Sequence, residues 1–168
     1  MWGRRMSVEV RRATGEDIGA LVALQREVHE LHLLSRPDQF KPATNETVAA
    51  WFGELLQSPG SQIWVAVVAS EVVGNAVALH KNRPEHTFSP ARTWCEVDQI
   101  VVTHAHRLQG IARALLQAIV DDAHAKGIEE IELSSWSFNT DAHRAFEAFG
   151  FTPKVIRFEL RPNPATDH

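Results

Sequence analysis

Two stretches carry residue types at spacings that could do chemistry. The first reads Trp94-Cys95-Glu96-Val97-Asp98-Gln99-Ile100. As a strand with period 2, it puts Glu96 and Asp98 on one face with Ile100 and Val102. A carboxylate pair can take a proton or anchor an ammonium group. The same pair is routine on a half-solvated strand face. The second stretch continues the first: Ile100-Val101-Val102-Thr103-His104-Ala105-His106-Arg107-Leu108-Gln109-Gly110-Ile111-Ala112-Arg113. A strand enters a short polar loop, and the loop opens a helix. Gly110 lets a ligand approach the backbone closely. The first helical N–H groups lack partners within a helix and, with its dipole, attract an anion. Arg107 and Arg113 add positive charge. This chemistry suits a pyrophosphate, although an ordinary strand–loop–helix joint carries the same features.

Other reactive side chains read as structural. Cys95 has the opposite parity to Glu96 and is expected to be a buried thiol. His29 and His32 lie at i, i+3, which is not the metal-binding His-Glu-x-x-His spacing. They could face an acceptor pocket instead. His104 and His106 sit on the anion loop, with solvent exposure expected. His143 is expected on the surface. Trp51, Trp64 and Trp94 are most simply core, and no metal site is implied.

The elements that must position these residues follow from periodicity and breakers. Val8 to Arg12 alternates as a short strand. Thr14-Gly15-Glu16-Asp17 resembles a capping box and opens a helix carrying Ile18, Leu21, Val22, Leu24, Val28 and Leu31. Ser35-Arg36-Pro37-Asp38 ends it. A second helix spans Asn45 to about Gln57, and Ser58-Pro59-Gly60-Ser61 breaks the chain. Ile63 to Val68 and Val72 to His80 form an expected hairpin. A loop covers Asn82 to Arg92, then a strand Thr93 to Val102. Gly110 to Lys126 is a helix stopped by Gly127. Ile128 to Ser134 is a strand, Thr140 to Phe149 a helix, and Phe151 to Leu160 a last strand with Pro153 at an edge or bulge. The expectation is α/β: a mixed sheet with helices on its faces.

Composition narrows the function classes. The chain has 168 residues and a formal net charge of −4, which argues against a nucleic-acid partner. Its length fits one domain, taken as 1–161, with 162–168 a loose Pro-rich tail. Its one cysteine excludes an internal disulfide framework. No apolar run reaches membrane-spanning length, and residues 1–6 lack the apolar core of a signal peptide. The expected compartment is the cytoplasm. Met1 or Met6 could be the native start.

Arg107-Leu108-Gln109-Gly110-Ile111-Ala112 resembles the Arg/Gln-x-x-Gly-x-Gly/Ala signature of the GNAT N-acetyltransferases. Ala112 takes the permitted alternative to the final Gly. Asn139, Ala142, Phe146, Gly150 and Phe151 stand at the offsets of that family's Asn-x-x-Ala…Tyr…Gly-Phe segment. Arg11-Arg12-Ala13-Thr14 also looks like a family N-terminus. The resemblance covers nearly the whole chain.

The resemblance implies one acetyl-CoA-binding domain. Its sheet is mostly antiparallel, splayed in a V between the fourth and fifth strands, with about four flanking helices. Pantetheine would meet backbone near Ile100, Val101 and Val102. Pyrophosphate would sit on N–H groups of Leu108, Gln109, Gly110, Ile111, Ala112 and Arg113, beside Arg107. Asn139 and Phe146 would face the thiol end of the cofactor. Relatives carry a catalytic Glu at the position of Glu96, so Glu96 is the implied general base and Asp98 its helper or the ammonium anchor. Phe40 and Trp136 would line the acceptor site, with the loop from Asn82 to Arg92 a further wall. Glu30, Asp38, Glu96 and Asp98 would favour a cationic acceptor if they converge.

The implied activity is transfer of acetyl from acetyl-CoA to a primary amine of a small molecule or peptide by direct attack. The chain departs from the family in one respect. Many relatives protonate the leaving thiolate with a Tyr, and this chain has no tyrosine; Phe146 holds that position. A non-catalytic acyl-CoA-binding or regulatory module is therefore the alternative. Relatives often dimerise through their last strands, which implies a possible homodimer; no membrane partner is expected, since no apolar run is long enough to span a bilayer.

Overall fold

The computed structural model describes residues 7–161. The expectations for residues 1–6 and 162–168 lie outside them. Strands β1 (Glu9–Arg12), β2 (Ser61–Val68), β3 (Glu71–Arg83), β4 (Arg92–Val102) and β5 (Ile131–Leu133) form one sheet in sequential order. The first four pair antiparallel, and β5 joins β4 in parallel. Helices α1 (Ile18–Ser35), α2 (Asn45–Gln57), α3 (Ile111–Ala125) and α4 (Thr140–Phe149) complete the chain. The mixed α/β architecture matches the expected fold class.

Local chemistry sets the ends of these elements. The Thr14 N–H donates to Asp17 Oδ2 at 2.8 Å, and Arg11 grips both Asp17 oxygens. This fixes a 3₁₀ turn that opens α1. At α2, Thr44 Oγ1 accepts the Thr47 N–H at 3.2 Å, an N-cap. Ala69 and Ser70 close the β2–β3 hairpin with φ of 48° and 69°, the handedness a two-residue hairpin needs.

The sheet separates two cores. On one face Ile111, Leu115, Leu116 and Ile119 of α3 bury against Ala76, Ala78, Cys95 and Val97. On the other, Leu21 and Phe52 from α1 and α2 pack on Ile63, Val65 and Val77. Gly74 permits the close docking of α3: a Cβ there would meet Val101 O at 2.9 Å and Ile111 at 3.3 Å.

Several elements end one to three residues from the sequence reading, and three regions differ in substance. The loop after β3 covers only residues 84–91, because β3 and β4 stay paired to Arg83 and Arg92. β5 keeps only Ile131–Leu133 of the expected Ile128 to Ser134. The last strand, Phe151 to Leu160, does not form: residues 151–161 have no ladder partner among the described residues. Their alternating pattern is real, but a strand needs a ladder.

Candidate active site

The site is built around an irregularity in β4. Val77 pairs with Gln99 while Ala78 pairs with Val97, so Asp98 is an extra residue, a β-bulge. The bulge reverses the strand's parity. Cys95 and Val97 face the α3 core, and so do Ile100 and Val102. Glu96 opposes Leu79, and Gln99 opposes Val77, both on the α1–α2 face. The expectation that Glu96 and Asp98 share a face with Ile100 and Val102 is therefore corrected. A strict two-residue period fails where one residue is inserted.

Glu96 is half-buried and Asp98 remains solvent-accessible. Partial burial and then the Glu96 charge raise the Asp98 carboxyl above the ordinary range, while Lys81 opposes the rise. Cys95, on the other face, is 1% exposed. Burial pushes its thiol up to about 11, so it is no nucleophile at neutral pH.

The sheet opens just beyond the carboxylates. β4 pairs with β5 only through Cys95, Glu96 and Val97. From Gln99 to Val102, β4 keeps its β3 partner and has none toward β5 among the described residues. The described pairing thus ends between the fourth and fifth strands at the expected place. Ile100, Val101 and Val102 lie on this open stretch.

That edge runs directly into the loop before α3, where the sequence reading expects an anion. A 3₁₀ turn spans His104–His106. Leu108 is fully exposed at φ 61°, and Gly110 precedes α3 at φ 80°. The N–H groups of Leu108, Gln109, Gly110, Ile111, Ala112 and Arg113 donate to no acceptor among the described residues; the first N–H satisfied is that of Ala114, by Gly110 O at 3.0 Å. These are the open donors of a helix N-terminus, pre-set by two left-handed residues. The Arg107 side chain holds Val102 O at 3.3 Å, and Gln109 Nε2 donates to Ala105 O at 3.3 Å. Ile111 is buried, whereas Arg113 is exposed and lies over the Phe149 ring at 5.4 Å. His106 is half-buried, with Nδ1 3.0 Å from Thr103 Oγ1, while His104 is exposed.

Asn139 stands at the start of α4, and its side chain makes no capping bond. Phe146 is buried at 9% exposure in the α3 core and meets Phe151 edge-on. His143 is half-buried, not a free surface group: Nε2–H donates to Trp136 O at 3.0 Å.

Phe40 and Trp136 come together. Their rings meet at 5.5 Å, His32 stacks on Phe40 at 4.8 Å, and Phe138 stacks on Trp136 at 6.1 Å. Burial, then the neighbouring His29, holds His32 below the ordinary histidine range. Sequence reading passed over Arg36 except as a helix breaker. Its guanidinium lies 4.9 Å over Trp136 and grips both Asp38 oxygens and Glu159. Asp38 is thus tied to Arg36 and Arg161 and does not join the Glu96–Asp98 pair. Asn75 was also missed. It is fully buried on the α1–α2 face, and neither amide atom has a partner among the described residues. The only signal was one polar residue in an apolar run.

The comparisons agree with this geometry. The sequence model of the acetyltransferase (GNAT) family matches residues 26–151. N-acetyltransferase YsnE of Bacillus subtilis is 26% identical over 148 residues, covering 87% of this chain and 85% of that protein. N-acetyltransferase 8 of Homo sapiens is 31% identical over 96 residues, 57% of this chain but only 40% of that longer protein. Among solved structures, the BH1408 protein of Bacillus halodurans superposes with a TM-score of 0.87 at 25% identity, covering 92% of this chain and 99% of that one. The aminoglycoside N-acetyltransferase AAC(6')-Iy, solved with CoA, superposes with a TM-score of 0.77 at 17% identity, covering 97% and 99%; this is a likeness of fold. No described helix is long and apolar enough to cross a membrane. On the match across residues 26–151, the chain belongs to the acetyltransferase (GNAT) family.

Proposed function

We propose that this protein is an acetyl-CoA-dependent N-acetyltransferase acting on a primary amine of a small molecule or peptide, with Glu96 as general base. The enzyme class and the acetyl donor follow from the family. One observation carries the rest. An open β4 edge leads from the carboxylates into six consecutive undonated N–H groups. The residues fit the donor: these N–H groups and Arg107 would hold its pyrophosphate, and the backbone of Ile100, Val101 and Val102 its amide arm. Asn139 lies toward the thiol end. When bound, acetyl-CoA supplies an acetyl thioester.

The chain's own residues supply the proton chemistry. An alkyl amine with a pKa of about 10 is protonated at neutral pH and must lose a proton before it attacks. Glu96 takes it, directly or through water. Asp98, beside it, receives or anchors the positive charge. Transfer is direct, since the buried Cys95 offers no acyl carrier. Phe146 gives the leaving thiolate no proton; a thiolate of pKa about 8.5–9 leaves without one. Phe40 and Trp136 form the acceptor wall, and Arg36 braces it. The reading includes a cytoplasmic homodimer.

The test is thiol release from acetyl-CoA across polyamines, aminoglycosides, amino acids and peptides, with CoA binding by calorimetry on the same sample. Release with one amine class that is lost in Glu96→Gln supports the proposal. CoA binding with no release from any class favours the acyl-CoA-binding module, which the missing tyrosine also suggests.

A further inference from the structure

The proposed acceptor wall is a closed circuit of four rings. His32 stacks on Phe40 at 4.8 Å, Phe40 meets Trp136 edge-on at 5.5 Å, Trp136 stacks on Phe138 at 6.1 Å, and Phe138 returns to His32 at 6.0 Å. Two of the rings come from α1 and the chain just after it, and two from the chain between β5 and α4. All four are half-buried, so each keeps part of its surface open. Burial, then His29, holds His32 below the ordinary histidine range, so at neutral pH it adds no charge. The other charges at the wall cancel. Arg36 lies over Trp136 and donates to Asp38 and Glu159, and Arg161 pairs with the same two carboxylates. The charge that is left lies at the bulge. Glu96 and Asp98 are negative when ionised and Lys81 opposes them, which leaves one negative charge. Wall and charge are close in the fold. Leu133 pairs with Val97, between the two carboxylates, and Trp136 follows three residues later, at most roughly 11 Å along the chain.

We infer that the acceptor is an aromatic monoamine: a flat apolar ring joined by a short linker to a single ammonium group. This rests on the acceptor wall and the general base proposed above. The ring covers the four-ring circuit, where offset and edge-to-face contacts are favourable. The ammonium meets Asp98 and Glu96, whose net charge with Lys81 matches one cation. A second ammonium would find Asp38 and Glu159 already paired, and an unpaired charge is costly to bury. A carboxylate beside the amine would meet Glu96 and Asp98 and would find Arg36 already engaged. Polyamines, aminoglycosides and free amino acids are therefore disfavoured.

Four matched amines test this on the full chain: 2-phenylethylamine, its saturated counterpart 2-cyclohexylethylamine, 1,4-diaminobutane and phenylalanine. Each is assayed for thiol release from acetyl-CoA and titrated into the CoA-loaded protein by calorimetry. 2-Phenylethylamine is expected to exceed its saturated counterpart in kcat/KM by about 3–10-fold, the gain of an aromatic contact at equal size. It is expected to exceed 1,4-diaminobutane and phenylalanine by at least about 100-fold. Phe40→Leu and Phe138→Leu should each raise KM for 2-phenylethylamine more than for the saturated amine, so that the ratio of the two falls toward one. A merely structural loss would lower both amines equally and keep the ratio. Equal use of the two ring amines, a preference for 1,4-diaminobutane or phenylalanine, or a ratio that survives in both variants would overturn the inference. The two readouts keep the proposals apart. Thiol release with only a non-aromatic amine overturns the acceptor class and leaves catalysis standing. Selective binding of 2-phenylethylamine with no thiol release counts against catalysis alone. Neither binding nor release with 2-phenylethylamine overturns the inference.

Discussion

Glu96 and Asp98 are neighbours in sequence with different surroundings, and the roles proposed for them follow that difference. Glu96 is a half-buried ladder residue, whereas Asp98 sits in the bulge with its carboxyl raised by partial burial and by Glu96. Glu96→Gln is expected to lower kcat/KM by about 10²–10⁴-fold, leaving a residual rate that rises with pH as free amine becomes available. Removing a like charge also lowers the Asp98 pKa, which carboxyl titration by NMR would read directly. A second prediction follows from the sign of that shift. A carboxyl with a raised folded pKa binds its proton more tightly when folded. Its ionisation therefore costs stability above that pKa and nothing below the unfolded value of about 3.8. Asp98→Asn should raise Tm at neutral pH and leave it unchanged in acid, a stability gain at the expense of activity. An equal Tm change at both pH values would show that packing, not charge, is responsible.

The elements hold these residues through two junctions. At the first, Gly74 admits α3 onto β3 and β4, and so places the loop before α3 at the end of the open edge. Gly74→Ala would drive a Cβ into the Val101 carbonyl at 2.9 Å. The expected loss is about 1–3 kcal/mol of stability, measured by urea denaturation, with weaker CoA binding as the α3 N-terminus shifts. At the second, Asp17 is 6% exposed and joins β1 to α1. Its pKa is lowered first by the Arg11 hydrogen bonds. A depressed folded pKa means stability present above the unfolded value and lost as pH falls through the folded one. Asp17→Asn should cost about 1–3 kcal/mol at pH 7, and the gap from wild type should close as pH drops below about 3.8. Both junctions bear on what the sequence could reveal. The Thr14–Asp17 cap and the Gly110 helix start were legible because local chemistry makes them. Gly74 was silent: its need for space comes from Ile111, a residue distant in the chain. The segment Phe151 to Leu160 was legible as a pattern and misread as a strand, because pairing depends on a partner strand and not on the segment itself.

At the scale of the molecule, one sheet separates two cores and opens between β4 and β5. The site therefore lies at the end of β4's pairing with β5, and its donors and carboxylates belong to a single continuous segment, Glu96 to Arg113. The family signature was readable for that reason, since it is contiguous. The proposed acceptor wall was readable only in pieces, because Arg36 and Phe40, Trp136, and Glu159 come from three separate parts of the chain. The bulge at Asp98 has a consequence for how this sequence can change. It acts as a frameshift in the strand's alternation: upstream, odd-numbered residues face α3, and downstream, even-numbered ones do. Deleting that single residue would turn Ile100 and Val102 away from their core and bring Gln99 into it. Substitution at position 98 is a question of chemistry, but loss of the position is a question of folding. The strand can exchange its carboxylate far more readily than it can give up the place that holds it.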